Sequence, residues 1–489
     1  MDELMAQRVA KAEELREAGI DPYPLRTVRT HTAADITALV EALPEGESEV
    51  AGVEADVTGR VVAKRDMGKA TFIDLQDGTG RVQALLRQNS LANYDSLRFI
   101  DLGDFIGVHG LPMRTRTGQP TVAATHWTML TKALHAPPEK YHGLADPEMR
   151  QRRRYLDLMA NEETRRVFAI RSRVIAAIRR FLDARGFLEV ETPILQESES
   201  GAAARPFYTR FNALDEDRVL RISLELHLKR LVIGGFERVY EIGRNFRNEG
   251  MSFKHNPEFT MIETYEAYTD YLGVAEMVEQ MVSSVALEVL GTTKITFRDM
   301  EIDVKAPWRR VTFLDAMKEY GGPDLDEFTT AEALRQELRR RGVDAPATAG
   351  YGKLCDEAMS HYIEPNLIQP TFLLDYPVEL SPLAKRKPGN ARLVERFECF
   401  VAGFECGNAY TELNDPIEQR QRFAAQLELK AAGDDEVELV DDDFLFALEH
   451  GMPPTGGFGI GIDRLVMLLT GQASIREVIL FPPMKSRKE

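Results

Sequence analysis

The hydrophobic pattern divides the chain into regions with different periods. Residues 1–45 are polar, have a helical pattern and end in a loop rich in Pro, Glu, Gly and Ser. From residue 53 to residue 134, apolar positions form short β-rich runs that are separated by turn residues. Residues 162–185 then place apolar side chains at helical spacing, and Gly186 ends that helix. The pattern therefore predicts more than one domain.

The β-rich region is predicted to hold five strands, with a single helix between the third and the fourth. Its best turn, Asp77-Gly78-Thr79-Gly80, is typical of a β-hairpin. This order predicts an OB-fold barrel, a common platform for single-stranded nucleic acid. A barrel without a ligand remains the alternative, because a fold does not determine its function. The predicted strands are 53–64, 70–77, 81–86, 105–112 and 121–130, and the helix is 89–99.

Two segments in the second half of the chain hold an arginine on a rigid element. A strand, a loop and a returning strand cover residues 236–268, and Arg247 lies in the loop. Near the C-terminal end, a glycine-rich approach leads to a helix start that carries Arg464. A guanidinium fork matches phosphate oxygens, so the two arginines favour a nucleotide triphosphate. No GxxxxGK(S/T) motif is present, which excludes a P-loop NTPase.

Alternation along two predicted strands places polar and aromatic side chains on one face of each. A carboxylate and an aromatic ring then lie side by side, and this surface suits a small cationic ligand with an aliphatic stem. A partly solvated sheet face is the alternative for either row taken alone. The rows are Phe259, Met261, Glu263 and Tyr265 on the first strand, and Asn408, Tyr410 and Glu412 on the second.

Glu398 and Glu405 lie seven residues apart on two strands predicted to be adjacent. Paired carboxylates are natural Mg²⁺ ligands beside a triphosphate, since this ion takes oxygen ligands and keeps several waters. Surface glutamates are abundant, so an unrelated surface pair is the alternative. His255 lies in the arginine-bearing loop, where contact with phosphate is plausible, although a lone histidine is usually structural.

Composition excludes several classes of protein. The chain has 489 residues, of which 44% are hydrophobic and 28% charged, as in an ordinary globular protein. Its three cysteines form no CxxC pair, so the sequence predicts neither a disulfide framework nor a zinc cluster and favours the cytoplasm. The N-terminus resembles no signal peptide, and no apolar run approaches the length of a membrane span. The net charge of the chain is −17, and much of this acidic excess is concentrated in residues 401–450, which alone carry −10.

These segments resemble the class II lysyl-tRNA synthetases over nearly the whole chain. Residues 162–193 match the helix, strand and proline of motif 1, and the two arginine-bearing segments match motifs 2 and 3. The most specific segments separate the chain from the related aspartyl and asparaginyl enzymes. They are residues 201–207, 225–231, 246–249, 255–263 and 408–415.

The resemblance implies ATP-dependent ligation of L-lysine to tRNA(Lys) through a lysyl-adenylate, with Mg²⁺ and as a homodimer. It also implies an α+β fold, in which the barrel precedes a catalytic domain built on an antiparallel sheet flanked by helices. The predicted parts are a helical extension (1–50), the OB-fold anticodon-binding domain (51–136), a linker (137–160) and the catalytic domain (161–489) with a helical insert at about 310–365.

The resemblance also assigns site residues, with Arg247 and Arg464 as the catalytic pair. ATP would be bound by Arg247, Glu249, His255, Asn256, Phe259, Glu398, Glu405, Gly461 and Arg464. Lysine would be bound by Gly201, Glu225, Glu263, Tyr265, Asn408, Tyr410 and Glu412. Glu398 and Glu405 would hold Mg²⁺, and Arg65, Phe72 and Gln83 would read the anticodon.

The chain departs from the family pattern in four places, and two other functions remain open. Glu199-Ser200 precede Gly201 where bacterial relatives often have Pro-Gly, and Leu224 precedes Glu225 where Pro is frequent. Tyr410 replaces a frequent Phe, and His126 stands where some relatives have an anticodon-reading glutamate. One alternative is a class II ligase for another amino acid or a protein acceptor, although such paralogues resemble the catalytic domain alone. The other is a nucleic-acid-binding or regulatory protein with an inactive catalytic domain.

Overall fold

The computed structural model describes residues 3–138, 144, 146–198, 201–202, 204–431 and 440–486. The chain divides into two compact units, Met1–Asp146 (unit 1) and Pro147–Glu489 (unit 2). Within the described ranges, every helix is too short or too polar to cross a membrane.

Unit 1 is built around a closed barrel in which the strand order is β1-β2-β3-β5-β4. A short 3-10 helix, Tyr94–Phe99, lies between the third and fourth strands, inside the segment predicted as helical. The predicted OB-fold topology is therefore confirmed. The strands are β1 (Ala55–Met67), β2 (Ala70–Gln76), β3 (Arg81–Arg87), β4 (Phe105–Arg114) and β5 (Pro120–Thr131).

Two helices precede the barrel, α1 (Glu3–Glu17) and α2 (Ala33–Glu41). Helix α2 begins with a capping box, in which the Thr32 and Asp35 side chains bond each other's backbone N–H. Its apolar face is buried in the same core as the inward-facing strand residues. The N-terminal extension therefore completes the barrel core.

A buried lysine ties the end of β5 to the loop before β4. The Lys132 ammonium donates to Phe99 O at 2.6 Å, to Asp101 Oδ2 at 2.6 Å and to Asp104 Oδ2 at 2.7 Å. Lys132 and Asp104 have fully buried side chains. Each charge depends on the other, because neither is solvated by water.

Unit 2 contains a nine-stranded sheet, in which the order is β14-β15-β17-β18-β19-β11-β10-β6 and β16 pairs with β17. Pairing is parallel for β10–β6 and β14–β15, at the two ends of this order, and antiparallel between. The strands are β6 (Leu188–Glu189), β7 (Leu195–Gln196), β8 (Phe207–Phe211), β9 (Glu216–Leu220), β10 (Arg238–Phe246), β11 (Glu258–Ala267), β12 (Lys294–Phe297), β13 (Met300–Asp303), β14 (Arg309–Thr312), β15 (Thr371–Pro377), β16 (Arg386–Lys387), β17 (Asn390–Val401), β18 (Phe404–Thr411) and β19 (Thr455–Gly461).

Helices cover the sheet of unit 2. The core between α5, α7, α13 and the sheet holds most of the buried apolar side chains, and smaller cores lie under α6 and α12 and within the insert formed by α8, α9 and α10. The helices are α3 (Pro147–Arg152), α4 (Arg154–Ala160), α5 (Glu162–Asp183), α6 (Glu225–Ile233), α7 (Tyr271–Leu290), α8 (Phe313–Glu319), α9 (Ala331–Arg340), α10 (Tyr351–Tyr362), α11 (Pro416–Ala431), α12 (Asp442–Glu449) and α13 (Ile462–Thr470).

The second half of the predicted linker, 137–160, is helical. Helices α3 and α4 belong to unit 2, where the Arg154 side chain is fully buried. Its guanidinium donates to Asp157 Oδ2 at 2.7 Å and to the carbonyls of Arg476 and Leu480 at 2.9 and 3.1 Å. Positions 139–143 and 145 of the predicted linker lie outside the described residues.

The buried lysine of the barrel gives a testable prediction. Lys132→Met is expected to lower the free energy of unfolding of unit 1 by about 3–5 kcal/mol, because it leaves the buried Asp104 carboxylate without its cation. Lys11→Met is the matched control, since Lys11 bonds Asp101 at 2.6 Å from a side chain that is 35% exposed. An exposed pair of this kind contributes about 1 kcal/mol or less.

Urea unfolding followed by tryptophan fluorescence measures both variants. Trp127 lies in the barrel core, and the chain has two tryptophans, so a Trp308→Phe background leaves Trp127 as the single reporter. Equal losses from the two lysine variants would contradict the assignment of a buried, mutually dependent ion pair.

Candidate active site

A cavity of about 640 Å³ opens over the sheet of unit 2, above strands β11, β18 and β19. The start of α6, the loop after β10 and the start of α10 complete its walls. Every residue predicted for the nucleotide and amino-acid sites lines this cavity. These residues are Gly201, Glu225, Arg247, Glu249, His255, Asn256, Phe259, Glu263, Tyr265, Glu398, Glu405, Asn408, Tyr410, Glu412, Gly461 and Arg464.

Strand β19 lies between the two predicted polar rows and presents glycines to both. Gly457 pairs with Tyr265 on β11 and with Tyr410 on β18. A Cβ atom at Gly457 would lie 1.9 Å from Glu412 Oε1 and 2.6 Å from the Tyr265 ring. Gly459, two residues further along β19, is likewise paired with one member of each row, Glu263 on β11 and Asn408 on β18. The bare backbone of β19 therefore makes room for the two rows to converge on one volume.

Glu263 stands at the end of the cavity that also holds Glu225 and Glu412, and it accepts three hydrogen bonds from protein groups. Its Oε1 accepts from Ser223 Oγ and from Leu224 N, both at 3.2 Å, and its Oε2 accepts from Tyr265 OH at 3.1 Å. Burial and the nearby Glu225 carboxylate raise the pKa of Glu263 to about 7. A cation bound beside Glu263 would favour the ionised form.

Lys229 is a partner of the site that the sequence analysis did not assign. Its Nζ lies 2.5 Å from Glu225 Oε1 and 2.5 Å from Glu412 Oε2, and the side chain is fully buried. Burial lowers the pKa of Lys229, but Glu225 and Glu412 raise it more, so its net pKa lies above the ordinary value. The i, i+4 spacing of Glu225 and Lys229 on α6 is the feature of the sequence that indicates this pair.

Glu225 and Glu412 therefore already share a cation of the protein. Glu225 also accepts from Tyr410 OH, with 2.6 Å between the oxygens, so the hydroxyl that distinguishes this chain from relatives with Phe has a defined partner. Burial raises the pKa of Glu412, and Lys229 opposes that shift without cancelling it.

The opposite end of the cavity holds both predicted arginines. The Arg247 guanidinium lies 5.3 Å from the centre of the Phe259 ring and donates to Ile222 O at 3.4 Å. Arg464 donates to Glu405 O at 2.7 Å and pairs with the carboxylate of the same residue. A cation over an aromatic ring at this end suits a flat base beside phosphates.

Glu398 and Glu405 lie on the adjacent strands β17 and β18, as predicted. Arg396 holds Glu398 Oε1 at 2.5 Å and donates to Asn408 Oδ1 at 2.9 Å. Burial raises the pKa of Glu398 to about 7; Arg396 opposes this shift and Glu405 adds to it. For Glu405 burial acts in the same direction, but Arg464 outweighs it and lowers the pKa. In the described ranges, no three His, Cys, Asp or Glu side chains form a complete metal cage.

The loop between β10 and β11 brings polar side chains over the same end. His255 Nδ1 lies 2.9 Å from Ser252 Oγ, and the Asn256 amide donates to Glu258 O at 2.5 Å. Burial, together with the positive charges of Arg464 and Lys254, lowers the pKa of His255 to about 4. His255 is therefore neutral at pH 7 and can accept as well as donate a hydrogen bond.

Asp463, which is buried, joins the elements that carry the arginine-bearing end of the cavity. Its Oδ2 accepts from Thr260 N of β11 at 2.8 Å, and its Oδ1 accepts from Arg171 of α5 at 2.5 Å. Arg171 also donates to Thr260 Oγ1 at 3.1 Å. The position of Arg464 relative to Phe259 follows from this junction, because each is next to one of its members.

The three residues predicted to read the anticodon lie together on the outer face of β1, β2 and β3. Arg65 is opposite Phe72, and Asp74 is opposite Gln83. Arg65 donates to both oxygens of Asp74, at 2.9 and 3.2 Å. Phe72 is half-buried and is not part of the barrel core, whereas its neighbour Ile73 is.

Gln83 is less accessible than the sequence analysis implied. It is 4% exposed, bonds Gln119 Oε1 at 3.2 Å and accepts from Thr121 Oγ1 at 3.2 Å. His126 is exposed on β5, where its Nε2 lies 3.3 Å from Thr128 Oγ1.

Comparisons with known proteins agree with this geometry. The family model for class II tRNA synthetases (D, K and N) matches residues 146–485, and that for the OB-fold nucleic acid binding domain matches residues 55–130. The chain is 53% identical to a lysine–tRNA ligase of Dehalococcoides mccartyi (strain CBDB1) over 99% of this chain and 98% of the relative. The chain belongs to the class II lysine–tRNA ligase family. The predicted family and fold class are therefore confirmed.

Two other relatives are similar to this chain over its full length. A lysine–tRNA ligase of Moorella thermoacetica is 51% identical over all of this chain and 99% of the relative. One of Bacillus subtilis (strain 168) is 49% identical over 99% of this chain and 98% of the relative. The family resemblance covers the barrel as well as the catalytic unit, which a paralogue reduced to the catalytic domain would not show.

The glycine strand gives the second testable prediction. Gly457→Ala is expected to weaken L-lysine binding by about 1–3 kcal/mol, roughly fivefold to 150-fold in Kd, because the new methyl group collides with Glu412 and Tyr265. Gly250→Ala is the matched control, since Gly250 also lines the cavity and a Cβ there meets no atom within 4 Å. Calorimetric titration with L-lysine measures both variants, and equal affinities would contradict the assigned pocket.

Proposed function

We propose that this chain ligates L-lysine to tRNA(Lys) with ATP, through a lysyl-adenylate. One observation carries the proposal: a single cavity has buried carboxylates at one end and two arginines at the other. Family membership supports the same activity. An amino acid with a cationic side chain and a nucleotide triphosphate would meet where the two ends join.

The amino-acid end would hold lysine by both of its ammonium groups. Gly201 and Glu263 would bind the α-ammonium, and Glu225, Tyr265 and Glu412 the ε-ammonium, while Tyr410 packs on the butyl stem and Asn408 lies near the carboxylate. An uncharged rival would leave buried carboxylates unpaired, at a cost of several kcal/mol.

The nucleotide end would hold ATP between an aromatic ring and two guanidinium groups. Phe259 would stack on adenine with Arg464 on the other face, and Arg247 would bind both the α-phosphate and the lysine carboxylate. Glu249, His255, Asn256 and Gly461 would complete the nucleotide site. The support is the 5.3 Å approach of the Arg247 guanidinium to the Phe259 ring centre.

The donor set at this end fits Mg²⁺. Glu398 and Glu405 are carboxylates on adjacent strands of one cavity, and Mg²⁺ is commonly held by one or two carboxylates together with phosphates and waters. When bound, the ion would neutralise charge on the triphosphate. Arg396 and Arg464 would keep the two carboxylates aimed at the cavity.

The reaction would need no protein base in its first step. The lysine carboxylate is ionised at pH 7, and it would attack the α-phosphorus in line and expel pyrophosphate. Arg247 and Arg464 would hold the reactants together and stabilise the charge that develops on the phosphoryl oxygens. A hydroxyl of the terminal adenosine of the tRNA would then attack the adenylate carbonyl and release AMP.

The proposal also includes tRNA recognition by unit 1, a homodimer and a cytoplasmic location. Unit 1 would read the anticodon with Arg65, Phe72 and Gln83. A homodimer is supported by the small sheet of β7, β9 and β8, which leaves Leu195, Tyr208 and Phe211 exposed, as at an interface. A cytoplasmic location is supported by three free, buried cysteines.

ATP–pyrophosphate exchange with each of the twenty amino acids tests the proposal directly. Exchange that depends on lysine is expected, and charging of bulk tRNA but not of a protein acceptor distinguishes the activity from that of a protein-modifying paralogue. Absence of exchange with every amino acid would instead support an inactive, regulatory protein.

Arg247 provides the third prediction. Arg247→Ala is expected to raise the barrier of lysine-dependent exchange by about 3 kcal/mol or more, a loss of at least roughly a hundredfold, because the reacting phosphate loses a charge-assisted contact. Arg244→Ala is the matched control: Arg244 lies near the end of β10, three residues before Arg247, is 43% exposed and pairs with Glu258 at 3.3 Å. Near-normal exchange in a folded Arg247 variant would exclude the assigned role.

Phe72 provides the fourth prediction. Phe72→Ala is expected to keep its melting temperature and its exchange activity but to charge tRNA at least about tenfold less well, because stacking on an unpaired base contributes about 1–3 kcal/mol. Ile73→Ala is the contrasting variant, since its side chain is fully buried in the barrel core and its loss costs about 2–5 kcal/mol of stability. Normal tRNA charging by Phe72→Ala would show that the barrel reads no anticodon through this residue.

A further inference from the structure

Lys229 is a buried cation at the amino-acid end of the cavity that the proposed roles leave unexplained. Glu225 and Glu412 line the cavity, whereas Lys229 lies behind them with no exposed side-chain surface. Its ammonium donates a hydrogen bond to Glu225 Oε1 and forms an ion pair with Glu412 Oε2, at 2.5 Å in both cases. A ligand in the cavity would therefore meet the glutamates and not the lysine.

This contact determines which carboxylate oxygen remains for a ligand. Lys229 and Tyr410 OH occupy the two oxygens of Glu225. Lys229 Nζ lies 2.5 Å from Oε2 of Glu412 as an ion pair, whereas Oε1 points to the bare backbone of Gly457, where even a Cβ would lie 1.9 Å away. Within the described ranges, neither oxygen of Glu412 accepts a hydrogen bond from the protein, so Oε1, on the side away from Lys229, is the oxygen that a ligand can reach.

The contact also sets the charge of the pocket. Glu225, Glu263 and Glu412 are three buried carboxylates, and Lys229 is the one ammonium that pairs with any of them among the residues that the structure describes. When all are ionised, two negative charges remain uncompensated, and L-lysine brings two ammonium groups. Without Lys229 the same pocket would hold three negative charges, and burial would force a carboxyl group to take up a proton.

We propose that Lys229 is a positioning residue that sets the charge of the amino-acid pocket, so that the pocket accepts an amino acid with two ammonium groups. The inference rests on the proposed function, because it explains how the cavity selects lysine. Lys229 acts through Glu225 and Glu412 and never touches the substrate.

The groups that face Lys229 and its partners come from four elements. Glu225 lies on its own helix, Tyr410 and Glu412 on or next to β18, and Glu263 and Tyr265 on β11. Helix α12 contributes the uncharged ring of Phe444, at 5.8 Å from the Lys229 ammonium, while Asp441 and Asp443 at its start pair with Arg230. Burial and the carboxylates of Glu225 and Glu263 raise the pKa of Glu412, and Lys229 opposes these effects. Removal of Lys229 is therefore expected to raise the pKa of Glu412 further. Lysine binding needs ionised carboxylates and therefore weakens as the pH falls through that pKa.

The test compares Lys229→Met with the charge-balanced double variant Lys229→Met/Glu225→Gln, as full-length enzymes in lysine-dependent exchange between about pH 6 and pH 9. The single variant is expected to raise KM for lysine at least about tenfold and to leave KM for ATP within about twofold. It is also expected to shift the pH profile of kcat/KM for lysine upward by about one unit or more. The double variant, which again carries two net negative charges, is expected to reverse both changes in part.

Lys132→Met is the matched control, because it removes another fully buried lysine bonded to a buried carboxylate, in unit 1. It is expected to lower stability without raising KM for lysine. A folded Lys229→Met enzyme with the wild-type KM and pH profile overturns the inference. A double variant that fares no better than the single one, in folding or in KM, also overturns it. If the single variant does not fold, a folded double variant supports the inference.

Failure of the proposed function has a different signature. Wild-type protein that exchanges with an uncharged amino acid and not with lysine contradicts the function itself. Wild-type exchange with lysine together with an unaltered Lys229→Met contradicts the inference alone.

Discussion

The buried carboxylate of Asp463 holds the candidate active site together. It accepts the backbone N–H of Thr260 on β11 and the guanidinium of Arg171 on α5, and it lies in the first turn of α13. Three segments that are far apart in sequence are thereby fixed to one another by charge-assisted bonds in a dry environment. Phe259 and Arg464 are the immediate neighbours of these bonded residues, so this junction sets the distance between the Phe259 ring and the Arg464 guanidinium.

The amino-acid end obeys a different constraint, which is space. Strand β19 lies between β11 and β18, and its glycines allow the side chains of both neighbours to lean inward over bare backbone. Charge then acts within that space, because Glu263 and Glu412 are buried and solvent screens them little. Shape and charge are thus supplied by different strands: β19 supplies the volume, while β11 and the end of β18 supply the carboxylates.

Much of this could be predicted from the sequence, because the decisive pattern was local. Alternation places Phe259, Glu263 and Tyr265 on one face whatever the strand pairs with, and the cavity indeed receives all of them. The five barrel strands were recognisable from their turns. Lys229 was missed because its role depends on Glu412, 183 residues further along the chain, which only folding brings close. For the same reason, the burial of Gln83 and Arg154 could not be predicted from residues that usually lie at the surface.

The shared ammonium of Lys229 also bears on how such a pocket can change over evolutionary time. Replacement of Lys229 alone leaves two buried glutamates without the cation that they share, and such a loss costs about 3–5 kcal/mol. That is a large part of the roughly 5–15 kcal/mol by which a folded domain is stable. A lineage that lost Lys229 would have to pass through an intermediate that folds poorly, or replace one of the glutamates at the same time. The pocket is therefore protected by epistasis as well as by selection on its activity.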